Sequence, residues 1–179
     1  SAMSDNSDRI PYDNANVTIL KHDQAFFAMT ETPGTICFDK RTLKTKGMIT
    51  FKDKLKPHVS CALPFIDPVT GEWINIATTF GRKSTYTIYK MGAKSLERVP
   101  LVNIPVSYPS YIHSFGVTNH YIIFIEVPFV ISPYDLLMNG KPYIENFIWK
   151  PKQDTKVSVY NRSNGTLVKS YTLPPFFML

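Results

Sequence analysis

Two cysteines in 179 residues, Cys37 and Cys61, provide neither a disulfide framework nor a four-thiolate metal site. Both read as reduced, small apolar residues of a cytoplasmic type of protein. Charge is sparse as well: 19% of residues are charged, 20 basic against 14 acidic, for a net +6. A disordered polyelectrolyte needs much charge and few apolar residues, whereas 44% of this chain is apolar. No apolar run approaches the roughly 20 residues of a spanning helix, so the chain is expected to be soluble or to rest on a membrane peripherally. Glycines number only 8, against 14 prolines. No glycine-rich phosphate loop, zinc-finger spacing or stacked-aromatic RNA motif occurs, so no nucleic-acid partner is expected.

What the chain has in quantity is aromatic residues, 13%, spread over short β-like runs. They read as Asn16–Leu20, Ala25–Thr30, Thr35–Asp39, Gly47–Phe51, Ser60–Ile66, Trp73–Phe80 and Thr85–Met91. A second series follows at Ser110–Phe115, Tyr121–Val127, Ile144–Trp149, Lys156–Tyr160 and Leu167–Thr172. Several alternate polar and apolar residues, the pattern of a strand with one buried face. Asp67-Pro68-Val69-Thr70-Gly71 reads as a turn, and Asn164-Gly165 as a hairpin. Val130–Met138 is the best helical segment, with Ser132-Pro133 as cap and first turn. The basic span Lys40–Lys56 reads as the solvated face of strands and turns. His22 and His120 read as surface residues. A dozen strands imply an all-β sandwich, barrel or propeller, and at about 40–50 residues per four-stranded blade the length suits three or four blades. Ser1-Ala2-Met3 looks like a cloning scar. Residues 1–10 are expected to be flexible, and 11–179 to form the domain.

Three ordered blocks narrow the choice. The first runs from Asn14-Ala15-Asn16-Val17 through Phe27-Ala28-Met29-Thr30-Glu31-Thr32-Pro33 to Phe38-Asp39-Lys40-Arg41-Thr42-Leu43. The second is Ile66-Asp67-Pro68-Val69-Thr70-Gly71-Glu72-Trp73-Ile74-Asn75. The third runs from Tyr111-Ile112-His113-Ser114-Phe115-Gly116 to Glu126-Val127-Pro128. Together they resemble the carotenoid cleavage oxygenase family over about a third of its chain. The resemblance implies that antiparallel four-stranded blades form three to four blades of a seven-bladed propeller. It also implies an axial Fe(II) held by four histidines, and O₂-dependent cleavage of a double bond in a lipophilic polyene.

Carried over residue by residue, the resemblance makes His113 a metal ligand and Glu31 the carboxylate that orients its imidazole. Thr30, Leu63 and Phe65 are expected near the substrate cavity. Leu63 stands where the family's motif has a ligating histidine, and leucine has no lone pair. Shifting His58 into that place would break strand register. The third and fourth ligands are expected beyond Leu179. No catalytic residue is therefore assigned, and this chain alone is expected to be inactive and without the Fe(II) of the parent family. The alternative is a degenerate relative that binds a carotenoid, retinoid or protein without cleaving it. A third reading is an unrelated β-rich interaction module. Tyr108, Val130, Tyr134, Leu136 and Leu137 match the family's membrane-facing entrance; the other reading of Val130–Met138 is a segment packed under a loop. Open strand edges are expected to favour self-association or a complementary chain.

Overall fold

A computed structural model describes residues 17–138 and 140–177. The expected loose N-terminus, residues 1–10, lies outside them, as do Asn14-Ala15-Asn16 of the first block. Three antiparallel meanders follow one another. The first comprises β1 (Thr18–His22), β2 (Ala25–Met29), β3 (Ile36–Phe38) and β4 (Thr45–Met48), side by side in chain order. The second opens with two short strands, β5 (Val59–Ser60) and β6 (Phe65–Ile66), which both pair with β7 (Trp73–Thr79). It continues through β8 (Ser84–Met91) and β9 (Val99–Val106). The third begins with β10 (Gly116–Val117) and β11 (Tyr121–Glu126). An excursion follows: β12 (Phe129–Ile131), α1 (Pro133–Met138), a 3₁₀ turn (Tyr143–Asn146) and β13 (Phe147–Trp149). Then β14 (Thr155–Asn161) and β15 (Leu167–Leu173) complete the sheet in the order β10-β11-β14-β15.

The middle sheet explains the arrangement, because both its faces are apolar. Successive strand residues point to opposite sides. Ile74, Ile76, Tyr86 and Ile88 pack one way, onto Ile122, Phe124 and Tyr160 of the third sheet. Trp73, Ala77, Tyr89 and Met91 pack the other way, onto Phe27 and Met29 of the first. Each such large side chain, once buried, contributes about 1.5–3 kcal/mol. A sheet buried on both faces and flanked by two others is a propeller blade between its neighbours.

The turns behave as their chemistry predicts. Asp67 Oδ1 accepts the Val69 and Thr70 amides, and Gly71 takes φ +70°. Gly165 joins β14 to β15 at φ +74°, and a Cβ there would meet the Leu101 carbonyl at 2.5 Å, so no other residue fits. Lys40, Arg41, Lys44, Lys46, Lys52, Lys54 and Lys56 are all exposed. Asp53 instead turns inward to Arg98, whose Nη2 lies 2.8 Å from Oδ1 and whose guanidinium stacks 4.0 Å from the Phe51 ring centre.

Several sequence expectations need correction: the strand read at Gly47–Phe51 lies at Thr45–Met48, Ser60–Ile66 is strand only at its ends, and Ile144–Trp149 opens in a 3₁₀ turn. β9 carries Pro100 and Pro105 and does not read as a strand; it forms because it pairs on one side only, where a missing N–H is tolerated. Ser110–Phe115 is not a strand. It makes one bridge, Ser110 to Val130, while the Ser110 amide donates to the Tyr86 hydroxyl (2.6 Å). Val130–Met138 splits, its first two residues joining β12 and the helix starting at Pro133 above the Ser132 cap. His22 is buried, 5% exposed, with Nε2 2.8 Å from the Ser95 carbonyl and its ring edge-on to Trp73.

Candidate functional site: one imidazole where three blades meet

Three segments, one from each blade, converge. Glu31 lies just past β2, and its backbone carbonyl accepts the Ser60 amide of β5 (2.8 Å), stitching the first blade to the second. Between β5 and β6 the Cys61 amide still donates to the Ile76 carbonyl of β7 (2.9 Å), and the chain leaves the ladder at Ala62–Pro64, where Pro64 has no N–H to give. The Cys61 thiol donates to the His113 carbonyl (2.8 Å) and lies 3.7 Å from the Leu63 carbonyl, so it joins the second blade to the third. Buried Asn75 holds the Cys61 carbonyl through Nδ2 (2.9 Å).

His113 and Glu31 lie together, with Nδ1 3.3 Å from Oε1. The same oxygen accepts the Tyr111 hydroxyl at 2.5 Å. Two donors can thus converge on Oε1, the Tyr111 hydroxyl and, in its Nδ1–H tautomer, the His113 imidazole, a tautomer whose Nε2 carries a free lone pair. The Tyr111 ring stacks on the imidazole, with centroids 6.3 Å apart and planes at 19°. Burial, followed by the bond to Glu31 and its charge, pushes the Tyr111 phenol well above its usual range and keeps it a donor. Burial likewise lifts the Cys61 thiol to about 11. Beside Glu31, Ser60 and Cys61 a void of about 10 Å³ remains, room for a single water.

Other expected residues fall elsewhere. Thr30 is half-buried beside Glu31. Leu63 is 40% exposed, whereas Phe65 packs into the core between the second and third blades under the Arg162 guanidinium. His58 is fixed away from the site, accepting the Phe80 amide on Nδ1 (3.0 Å). Of the entrance residues, Val130 is a correction: it is 5% exposed, buried by its pairing with Ile148 in β12–β13. Leu136 packs against Phe80, Ile131 and Phe147. The Leu137 side chain lies outside the described residues. Tyr108 and Tyr134 are both exposed and line one groove of about 630 Å³ with Arg82 and Lys83.

Sequence reasoning placed Tyr111 only in the Pro105–Tyr111 stretch of the entrance and assigned no functional role to Cys61 or Asn75. Tyr111 had a signal, since a spacing of two puts it on the same side as His113. An aromatic wall beside the site also went unread: Tyr111 meets Phe129 and Phe147 edge-on and lies nearly parallel to Phe177.

A ferrous ion needs more than this chain arranges. Glu31 is engaged by two donors, Cys61 is a buried thiol, and Leu63 has nothing to donate. Among the described residues no group of three or more His, Cys, Asp or Glu is placed to hold a metal. The residues present therefore do not fit an iron centre.

Blades that bring an imidazole, its carboxylate and an aromatic wall to their common end define a propeller of the carotenoid-oxygenase type. The model of the retinal pigment epithelial membrane protein (RPE65) family matches residues 2–179, and the chain belongs to that family. It is 29% identical over 170 residues to carotenoid cleavage dioxygenase 8 of Arabidopsis thaliana, covering 92% of this chain and 30% of that protein. To the β,β-carotene 15,15'-dioxygenase of Rattus norvegicus it is 29% identical over 153 residues, 76% of this chain and 26% of that one. The lignostilbene dioxygenase of Pseudomonas brassicacearum superposes with TM-score 0.70 at 23% identity, over 88% of this chain and 32% of that one. A chimera of apocarotenoid oxygenase and RPE65 gives 0.73 at 21%, over 91% and 35%. The chain thus spans about 30% of the length of curated relatives. Its sheets are blades of the seven-bladed propeller that carotenoid oxygenases share, and the family is in general iron-dependent.

Proposed function

We propose that these residues form the part of a carotenoid- or apocarotenoid-oxygenase propeller that presents one oriented imidazole to the axis and lines it for a lipophilic polyene, and that alone they do not cleave it. The Glu31–His113 pair carries this reading: the carboxylate and imidazole are arranged as for ligation, while Leu63, on the segment that the Cys61 thiol ties to His113, is apolar. Bound iron would supply oxygen activation, and one imidazole does not hold it. Leu63 also favours a second reading, in which the whole protein binds a carotenoid or retinoid without cleaving it. Leu63 and the aromatic wall of Tyr111, Phe129, Phe147 and Phe177 then serve as apolar contacts. Tyr108 and Tyr134, flanked by Arg82 and Lys83, suit contact with an anionic membrane surface. The exposed strands β4 and β15 offer edges for a second copy or a complementary chain.

The test is tryptophan-fluorescence quenching by an apocarotenoid aldehyde. Saturable quenching, weakened by Phe147→Ala, is the expected result. Quenching that stays linear in ligand and ignores the substitution contradicts polyene binding.

A further inference from the structure

We propose that Tyr111 is a positioning residue: its hydroxyl pins the Glu31 carboxylate and thereby fixes the tautomer of His113. The inference rests on the reading of His113 as the axial imidazole. A glutamate has three side-chain rotors, and this one is 23% exposed, so water competes for its oxygens. The backbone bond from Ser60 fixes where the side chain starts but not where it ends. Two groups reach Oε1, and the Tyr111 hydroxyl is the nearer, at 2.5 Å against 3.3 Å for His113 Nδ1. A charged acceptor makes such a bond strong.

Tyr111 is itself well held. Its amide donates to the Phe129 carbonyl (2.8 Å), and its ring rests edge-on against Phe129 and Phe147. A phenylalanine would make every one of those ring contacts. The oxygen is what a phenylalanine would lack, and its partner is Glu31. With the hydroxyl in place, the carboxylate faces Nδ1 and that nitrogen keeps its proton. Without it, the carboxylate turns toward solvent and the imidazole reverts toward the Nε2–H form that an unconstrained neutral histidine favours.

The experiment uses the whole chain with ¹⁵N-labelled histidine and long-range proton–nitrogen spectra at one pH above the imidazole range, with His113 assigned through His113→Gln. In the unsubstituted chain the Nδ1–H form predominates. Tyr111→Phe is expected to move the His113 tautomer ratio toward Nε2–H by about tenfold, the weight of one charge-assisted hydrogen bond, leaving the other three histidines unchanged. Glu31→Gln should move it the same way. A ratio that responds to Glu31→Gln but not to Tyr111→Phe overturns the role of Tyr111 and leaves the site reading intact. A ratio that responds to neither overturns the Glu31–His113 reading itself. Should Tyr111→Phe lose its dispersed spectrum, the unsubstituted chain still decides. A protected Tyr111 hydroxyl proton with a cross-peak to the His113 ring supports the proposal, and a freely exchanging one contradicts it.

Discussion

Two segments lie side by side where the blades converge, Cys61–Phe65 and Tyr111–Phe115, joined by one thiol. Around His113 the structure is dense with purpose-built polarity: a carboxylate on Nδ1, a phenol on that carboxylate, and a ring stacked on the imidazole. Around Leu63 there is backbone and solvent. One segment carries hydrogen-bonded polar side chains, and the other carries an apolar side chain whose backbone carbonyl faces the Cys61 thiol.

The comparison breaks most severely if the support of the first segment is removed. Arg98 binds Asp53 with both nearly buried, and its Nη2 also reaches the Leu55 carbonyl (2.6 Å), anchoring the stretch that leads into β5. Arg98→Ala leaves an unpaired buried carboxylate and is expected to cost about 3–5 kcal/mol in urea unfolding. Hydrogen exchange should rise first at 61–65 and later at 111–115. The comparison is erased from the other direction by Leu63→His, which adds a second imidazole to the segment that the Cys61 thiol ties to His113. Cobalt(II) affinity in calorimetry should rise about 100-fold, since even an outer partner of a ligand is worth 10–100-fold. An unchanged affinity would show that residues 63 and 113 do not face a common point.

Smaller effects sharpen the contrast through pH. Burial alone would raise the Asp53 carboxyl, but the bonds from Arg98 and Leu55 and the Arg98 charge hold it below its usual 3.8. Its contribution is complete above 3.8 and fades as pH falls through the lowered value. Glu126, on β11, is the reverse: burial raises it above 4.5 against the pull of Lys156. Its contribution is complete below 4.5 and fades as pH rises through the raised value. Segment-resolved exchange should therefore show the entry to the second blade loosening in acid while β11 tightens. Asp53→Asn should flatten the first limb and Glu126→Gln the second. The least effect is expected from Cys61→Ala, about 1 kcal/mol for the lost bond to the His113 carbonyl, seen as a small shift in the urea midpoint.

Much of this was legible in the residues. Alternation in Thr85–Met91 and Lys156–Tyr160 gave strands, and the Asp67–Gly71 and Asn164–Gly165 turns formed where their side chains dictate. His113 and Glu31 were legible through the ordered blocks, 82 positions apart in sequence. The rest was hidden for physical reasons. Pro100 and Pro105 mask an edge strand whose pairing on one side makes them harmless. Ser110–Phe115 has a strand's composition, but its backbone bonds go to Tyr86, Phe129 and Cys61 instead of a ladder. Val130 and His22 carry no local mark of burial; only the packing of distant strands covers them. Tyr111 looked like one more aromatic until its oxygen was placed.

The central claim is that this chain offers one oriented imidazole and an apolar neighbour, a surface for a polyene without an iron centre. It is tested most directly by loading the chain with Fe(II) without oxygen, removing unbound metal, then adding an apocarotenoid and air while following both metal content and polyene absorption. The account predicts iron far below one per chain and a shifted absorption band that persists. One iron per chain, lost in His113→Ala, together with bleaching of the polyene, would contradict it.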